Sequence, residues 1–381
     1  MTIKNTDILI IGAGAYGLSA AWWMAQRRND SRILVLDAQD FAAGGTGRNL
    51  ASMRMQWGLE FNIRLSQESI AFFEETEEHL DYPGGIDLKQ EGYLLLAHDE
   101  RMLQNLRDSR HVHEQFDVPS EILSPEECLK IVPTLNPDGI LGGSFCPKDG
   151  TASPFLWLDA LLRACRRAGV YVNFDTRVLS IVPQGDGFQV QTVVGSVHAD
   201  KVLICTDWQA PELLQPLGVD LPISGMPKEA LVTEPWERVV GPVVISFKTD
   251  IAVSQLARGS ILAYTTRERP QDEDFSSTPE YLPYCARKFV DLLPTLSHLN
   301  VLRTWAGMIS QTPDMQAVLG ETEVPNVFVA VSAYKGFMTS PAVGRIMAEI
   351  VFDGHSDHPA VAPLHPKRFA TGDLVPEPLT V

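Results

Sequence analysis

The chain has 381 residues, 45% of them hydrophobic and 21% charged, and a formal net charge of −17. That composition belongs to a globular protein of more than one lobe, and the acidic balance excludes a nucleic-acid binder, which needs a cationic surface to displace counterions from phosphates. The five cysteines, at 128, 146, 165, 205 and 285, make no Cys-x-x-Cys pair and read as reduced thiols of a cytoplasmic protein. The near-neighbour pairs His111/His113 and His355/His358 lie in polar segments away from cysteine, so no metal site is expected.

Asp7–Ile11 reads as a short buried parallel strand, Leu18–Arg28 as a helix and Arg32–Asp37 as a second buried strand, which together make one β-α-β unit. The apolar run Ile8–Ala25 has the length of a signal anchor, but its regular glycines and its charged end on the wrong side argue against export or a membrane span. Glu60–His79 has a helical pattern, Gly92–Ala97 is strand-like, and Glu100–Gln115 is a polar helix. Ser124-Pro-Glu-Glu127 is a helix start, with a capping serine, a first-turn proline and an acid three places on.

Phe155–Ala168 is an amphipathic helix stopped by Gly169. Tyr171–Asp175, Val178–Val182, Phe188–Val194 and Lys201–Cys205 read as strands that make a hairpin-bearing crossover back to the main sheet. Asn326–Ser332 is another buried strand, and Ser340–Phe352 a final helix with Pro341 in its first turn. The Pro- and His-containing tail from Gly354 is expected to wrap the surface or fray. Nucleotide-binding signals fall at both ends and in the middle, so one nucleotide lobe is built from three pieces with a second lobe inserted twice.

The first chemistry-bearing motif is Gly12-x-Gly14-x-x-Gly17. Gly12 permits the tight turn, Gly14 lets backbone approach a pyrophosphate, and Gly17 lets the helix close on the strand. Asp37 lies twenty positions beyond Gly17, where an acid accepts ribose hydroxyls. This pattern does not separate FAD from NAD. The next segment does: Gly44-Gly45-Thr46-Gly47-Arg48-Asn49, followed by Met53-Arg54-Met55-Gln56-Trp57.

With RTWAG and TPD at 303–314 and YKGFMTSPAVGRIMAE at 334–349, the chain resembles the D-amino-acid oxidase superfamily of FAD enzymes, in the sarcosine oxidase and glycine oxidase branch. Its closest likeness is to the β subunits of hetero-oligomeric sarcosine oxidase and proline dehydrogenase. The resemblance implies an α/β fold: a Rossmann-like FAD-binding domain (1–85, 146–214 and 305–381) with an inserted α+β substrate domain (86–145 and 215–304) on a mixed antiparallel sheet. It implies FAD held by Gly12, Gly14, Ala15, Tyr16, Gly17, Asp37, Ala38, Gly45, Thr46, Gly47, Arg48, Asn49, Val178, Gly307, Gly336, Phe337, Met338 and Thr339. Arg48 reads either as a phosphate contact or as a solvated loop residue. The amides opening the last helix face the flavin, and Lys335 either adds positive charge there or is a solvated loop lysine. Arg54 is the candidate for the substrate carboxylate, since a fixed, always-charged, bidentate partner suits an anion in a dry pocket. Trp57 reads as pocket wall or core, and Met338 as a substrate neighbour.

The chain also departs from its relatives. Gly307 stands where monomeric sarcosine oxidases carry the cysteine that binds FAD, so the cofactor is expected to be noncovalent. The stretch Asp149–Pro154 lacks the histidine that carries FMN in the heterotetrameric enzymes. Met338 and Ile309 replace cationic residues of sarcosine and glycine oxidases, and Gly259–Tyr264 contains no lysine, which weakens oxygen as the electron acceptor. The expected reaction is oxidation of an amino-acid or secondary-amine C–N bond to an imine. The alternatives are a 2-hydroxy acid oxidoreductase on the same fold, or a flavin-holding subunit inactive without its partner. A small-molecule substrate, a second subunit or homo-oligomer, no nucleic acid and no membrane span complete the expectations.

Overall fold

The computed structural model describes residues 4–267, 269 and 275–378. Two large sheets organise the chain. The first runs, in spatial order, Val318–Glu321, Val327–Val331, Gly195–Ile204, Asn5–Ile11, Ile33–Leu36 and Tyr171–Asn173. Asn5–Ile11 lies at its centre, parallel to Gly195–Ile204 on one side and to Ile33–Leu36 on the other. All four residues Ile33–Leu36 are buried, as expected of a parallel strand covered on both faces. One face carries the core around Leu18, Trp157 and Ile346, and the other the core around Leu9, Val202 and Val329. Each fully buried aliphatic side chain contributes about 1.5–3 kcal/mol. The hairpin Val178–Gln184/Gly187–Thr192 extends from Gly195–Ile204 by antiparallel pairing, which is the expected crossover.

Three helices pack on the first face. Ala15–Arg27 lies against Gly336–Asp353, and a Cβ on Gly344 would collide with the Ser19 side chain, so glycine sets how closely these helices approach. Pro154–Arg167 starts at Ser153, whose hydroxyl accepts from Leu156 N. The Ser124 capping box with Glu127 is present. The Glu60–His79 pattern breaks at Glu75 into Glu60–Glu74 and Thr76–His79.

The last helix differs from expectation. It begins at Gly336 rather than Ser340, and Pro341 is inside it. Proline cannot bond the carbonyl four residues back; here that carbonyl, Phe337 O, accepts the Ser340 hydroxyl at 2.8 Å, and the helix continues. Between Gly354 and Pro378 the tail is also ordered. It forms Val361–Leu364 and Arg368–Thr371, and buries Arg368 and Glu377.

The second sheet is mixed and mainly antiparallel: Val301–Gln311, Ser224–Pro235, Ser260–Tyr264, Ile251–Gln255, Val243–Ser246, Tyr93–Ala97, Gly142–Cys146 and Glu121–Leu123. Val301–Gln311 pairs along its length with Ser224–Pro235, so a boundary at 305 falls inside a continuous strand of this sheet. Among the described residues no helix is long and apolar enough to cross a membrane.

Candidate active site

A cavity of about 530 Å³ runs between the two sheets. Its first end is the glycine turn. Gly12 has φ +108°, and a Cβ there would strike the Cys205 carbonyl; a Cβ on Gly17 would strike the Gly12 carbonyl. Gly14 caps the helix Ala15–Arg27 without any side-chain cap, so first-turn amides remain for a ligand. The Asp37 carboxylate accepts Ala13 N at 2.7 Å and Gln39 N at 2.9 Å, and burial raises its pKa against those bonds. Thr46 Oγ1 accepts Ala15 N at 3.1 Å and so ties the Gly45–Arg48 turn to the glycine turn.

Of the expected cofactor residues, Gly12, Gly14, Ala15, Tyr16, Asp37, Ala38, Gly45, Thr46, Arg48, Asn49, Val178, Gly307, Gly336, Phe337 and Met338 line the cavity. Gly17, Gly47 and Thr339 stand behind it: Gly47 packs on Ala42, and the Thr339 and Tyr16 hydroxyls bond each other at 2.8 Å. The Arg48 guanidinium lies 4.4 Å from the centre of the Phe275 ring at the cavity wall. The helix Gly336–Asp353, capped by Lys335 without a side-chain bond, opens on the same cavity. Two helix N-termini, a half-buried carboxylate and a turn that only glycine fits suit a dinucleotide bearing a pyrophosphate and a ring that gains negative charge.

Arg54 and Trp57 line the other part of the cavity, with Tyr93, Tyr264 and Tyr334 around them. Arg54 is only 4% exposed, and its guanidinium carbon lies 3.8 Å from the centre of the Trp57 ring. Trp57 is both wall and core: it is 1% exposed, and its indole N–H donates to Arg54 O at 2.8 Å and to Ser66 Oγ at 2.9 Å.

Buried side chains from distant parts of the chain hold this segment. Asp149 accepts Met55 N at 2.7 Å and Gln56 Nε2 at 3.0 Å. Burial pushes its carboxyl up to about 7, against these bonds and the pull of Arg54. His113 bonds Trp57 O at 3.0 Å through Nε2 and Ser120 Oγ at 2.6 Å through Nδ1. Burial drives it down to about 4, so it is neutral near pH 7. A carbonyl only accepts, so Nε2 carries the proton and Nδ1 accepts the serine hydroxyl. Glu377 accepts Gly58 N at 2.6 Å and Asn62 Nδ2 at 2.7 Å. The sequence reading did not single out Asp149, His113 or Glu377 for this role. The Asp-Gly turn at 149 was the only local signal; a histidine in a polar helix and a glutamate in a tail carry none.

Lys335 is placed otherwise than expected. Its ammonium donates to Met315 O and Gln316 Oε1 at 3.0 Å each and lies 4.5 Å from the centre of the Tyr334 ring and 5.1 Å from that of Trp57, two rings that line the cavity; the residue is 2% exposed. Burial lowers its pKa to about 7. Its nitrogen is engaged by two oxygens and its charge is weakened by burial, and the backbone amides of its helix open on the same cavity.

The family described as FAD dependent oxidoreductase matches residues 7–350. The chain is 27% identical to the beta chain of sarcosine oxidase from an Arthrobacter species, over 98% of this chain and 93% of that one. It is 26% identical to one of the subunits of opine oxidase from Rhizobium meliloti, over 85% and 88%. Its fold matches the crystal structure of L-proline dehydrogenase from P. horikoshii with a TM-score of 0.92 and 28% identity, over 98% and 100% of the two chains. A glycine turn built for a dinucleotide and a family match spanning nearly the whole chain lead to one conclusion: this protein belongs to the DAO family of FAD-dependent oxidoreductases.

Proposed function

We propose that this enzyme oxidises the C–N bond of an amino acid or secondary amine to an imine, with the substrate carboxylate held by Arg54. The observation that carries this reading is the Arg54 guanidinium, buried on the Trp57 face inside the cofactor cavity. An anion entering so dry a site must recover lost solvation, and guanidinium is suited to do so. The relatives named for sarcosine, opines and proline support the same substrate chemistry.

When bound, FAD supplies a two-electron acceptor. The chain's own residues do the rest by orientation and charge. Arg54 fixes the carboxylate, the tyrosine-lined wall excludes water, and the amine binds neutral. Its nitrogen lone pair forms the C=N bond as the α-hydrogen leaves with its electron pair, and water then hydrolyses the imine. Among the described residues no histidine lines the cavity. That counts against the 2-hydroxy acid alternative, which needs a base beside the carbinol.

FAD is held noncovalently on this reading. Cys205, the one cysteine lining the cavity among the described residues, lies against Gly12 at the dinucleotide end. The free cysteines fit a cytoplasmic protein. Two relatives are named as subunits, and this chain spans about nine-tenths of each, so association with a second, different chain is part of the proposal. Anaerobic flavin bleaching of the chain purified alone, against proline, N-methyl amino acids, D-amino acids, opines and 2-hydroxy acids, tests both points. Bleaching by amines without a partner removes the requirement for a second chain; bleaching by hydroxy acids alone overturns the amine reading. Arg54→Met should keep the flavin and lose about 2–5 kcal/mol in kcat/KM. An unchanged kcat/KM makes Arg54 a structural residue.

A further inference from the structure

The strands of the second sheet send alternate residues to opposite faces. Across four neighbouring strands Ile245, Ala252, Tyr264 and Ala230 stand in register. Val243 and Leu262, each two positions along its own strand, share their face. The opposite face carries Val244, Ile261 and Ala263, which are closed off in the core that includes the helix Tyr281–Leu292. The first face is not closed. Its residues line the cavity, and Ala252 and Leu262 each keep 7% of their surface open. Ala252 is short and stands between Ile245 and the Tyr264 ring, so the face has a recess at its middle.

This face begins where the carboxylate is proposed to sit. The Arg54 guanidinium lies 6.0 Å from the centre of the Tyr93 ring, and Tyr93 stands beside Val243 in register. The face itself carries no charge there; Ser254, opposite Leu262, adds one neutral hydroxyl. Lys228 is the one basic residue on the four strands, two positions beyond Ala230, and its ammonium donates to Thr266 O at 2.9 Å. We propose that the face around Ala252 receives the substrate's side chain and selects an amine with one carboxylate and an apolar substituent. This rests on Arg54 as the carboxylate site and deepens that reading. With one end of the substrate fixed on the guanidinium, an apolar substituent laid on the recess leaves water for hydrocarbon, worth about fourfold in affinity per methylene. A second carboxylate laid there loses its water and meets no cation, so the same face rejects it.

The test titrates the FAD-loaded protein with acetate, propionate, butyrate and succinate, followed by perturbation of the flavin absorbance. The titrations are run at about pH 8, where both carboxyls of succinate are ionised. In the wild type, affinity should rise about fourfold per methylene from acetate to butyrate. Succinate, which has the length of butyrate, should bind about tenfold more weakly than butyrate or worse. Ala252→Val, which fills the recess, should keep its FAD, hold acetate near wild type and flatten the rise with chain length. The wild-type series decides by itself if that variant does not fold. A flat wild-type series overturns the proposal, and so does an unchanged rise in a folded Ala252→Val. Succinate binding as tightly as butyrate also overturns it, and sets the second carboxylate on Lys228. Wild-type protein that binds none of the four overturns this pocket and the carboxylate site together. A rise with chain length in a protein that no amine reduces upholds the pocket and sinks only the amine reading.

Discussion

The turn Gly12–Gly17 and the segment Arg54–Gly58 serve one cavity and are made in different ways. The turn is made of backbone. Its function comes from amides freed at a helix start and from missing Cβ atoms, and the residues that meet these requirements are neighbours in sequence, with only Gly12 pressed against a distant strand end at Cys205. The Arg54 segment has only the two-residue strand Ser52–Met53 before it, paired to Gly150–Thr151. Its shape is imposed by Asp149, His113 and Glu377, which arrive from three distant parts of the chain. A site of the first kind tolerates change elsewhere in the fold; a site of the second kind, the one proposed for the substrate, inherits every change in the elements that hold it.

Separating the two is the sharpest test. Gly17→Ala should have the largest effect, because its methyl would meet the Gly12 carbonyl, a backbone atom that cannot step aside. We expect a loss of about 3 kcal/mol in stability and of most of the bound flavin, read from the flavin-to-protein absorbance ratio. Full flavin content in this variant would show that the turn is not under the constraint described.

Asp149→Ala should do the converse. It strips the acceptor from Met55 N and the Gln56 amide inside the protein, at a cost of about 2–4 kcal/mol in stability. It should raise KM while leaving the affinity for FAD near wild type. Equal loss of flavin and substrate binding would mean that the two ends are not separable. The wild-type acid also has a pH signature. Its folded pKa lies above the ordinary carboxylate value, so the proton is held more tightly in the folded state. The stability it contributes is present below about pH 4 and lost as pH rises through about 7.

Lys335 provides the smallest and most specific test. Its folded pKa is about 7 against an ordinary 10.5, so the unfolded chain binds more protons between those values. Stability therefore rises with pH across that window, by up to about 1.4 kcal/mol per unit, and falls away as pH drops through 7. In Lys335→Met this slope between pH 7 and 10 should flatten in denaturant titrations, with flavin content retained. A slope that persists assigns it to another group and makes Lys335 an ordinary buried contact.

Much of the fold was readable because it rests on local rules. The β-α-β unit, the Ser124 capping box and the hairpin after Val178 each announce themselves within one continuous stretch of chain. Pro341 misled because the usual first-turn rule overlooks a serine one residue earlier that satisfies the orphaned carbonyl. Most strands of the second sheet went unread. Their partners lie far away in sequence, as Ser224–Pro235 against Val301–Gln311 shows, and a mixed pattern of burial leaves no clean alternation.

From the sequence alone came the dinucleotide turn and the proposals for Asp37 and Arg54, since residue type and spacing carry the signal where backbone amides and one side chain are the proposed contacts. Only the tertiary structure decided that Lys335 is buried with its ammonium on Met315 O and Gln316 Oε1, and that the tail reaches Gly58 through Glu377. Those outcomes depend on which buried groups meet across hundreds of residues. In a low-dielectric interior each polar atom is governed by the partner that packing brings to it, and packing is not written in any one segment.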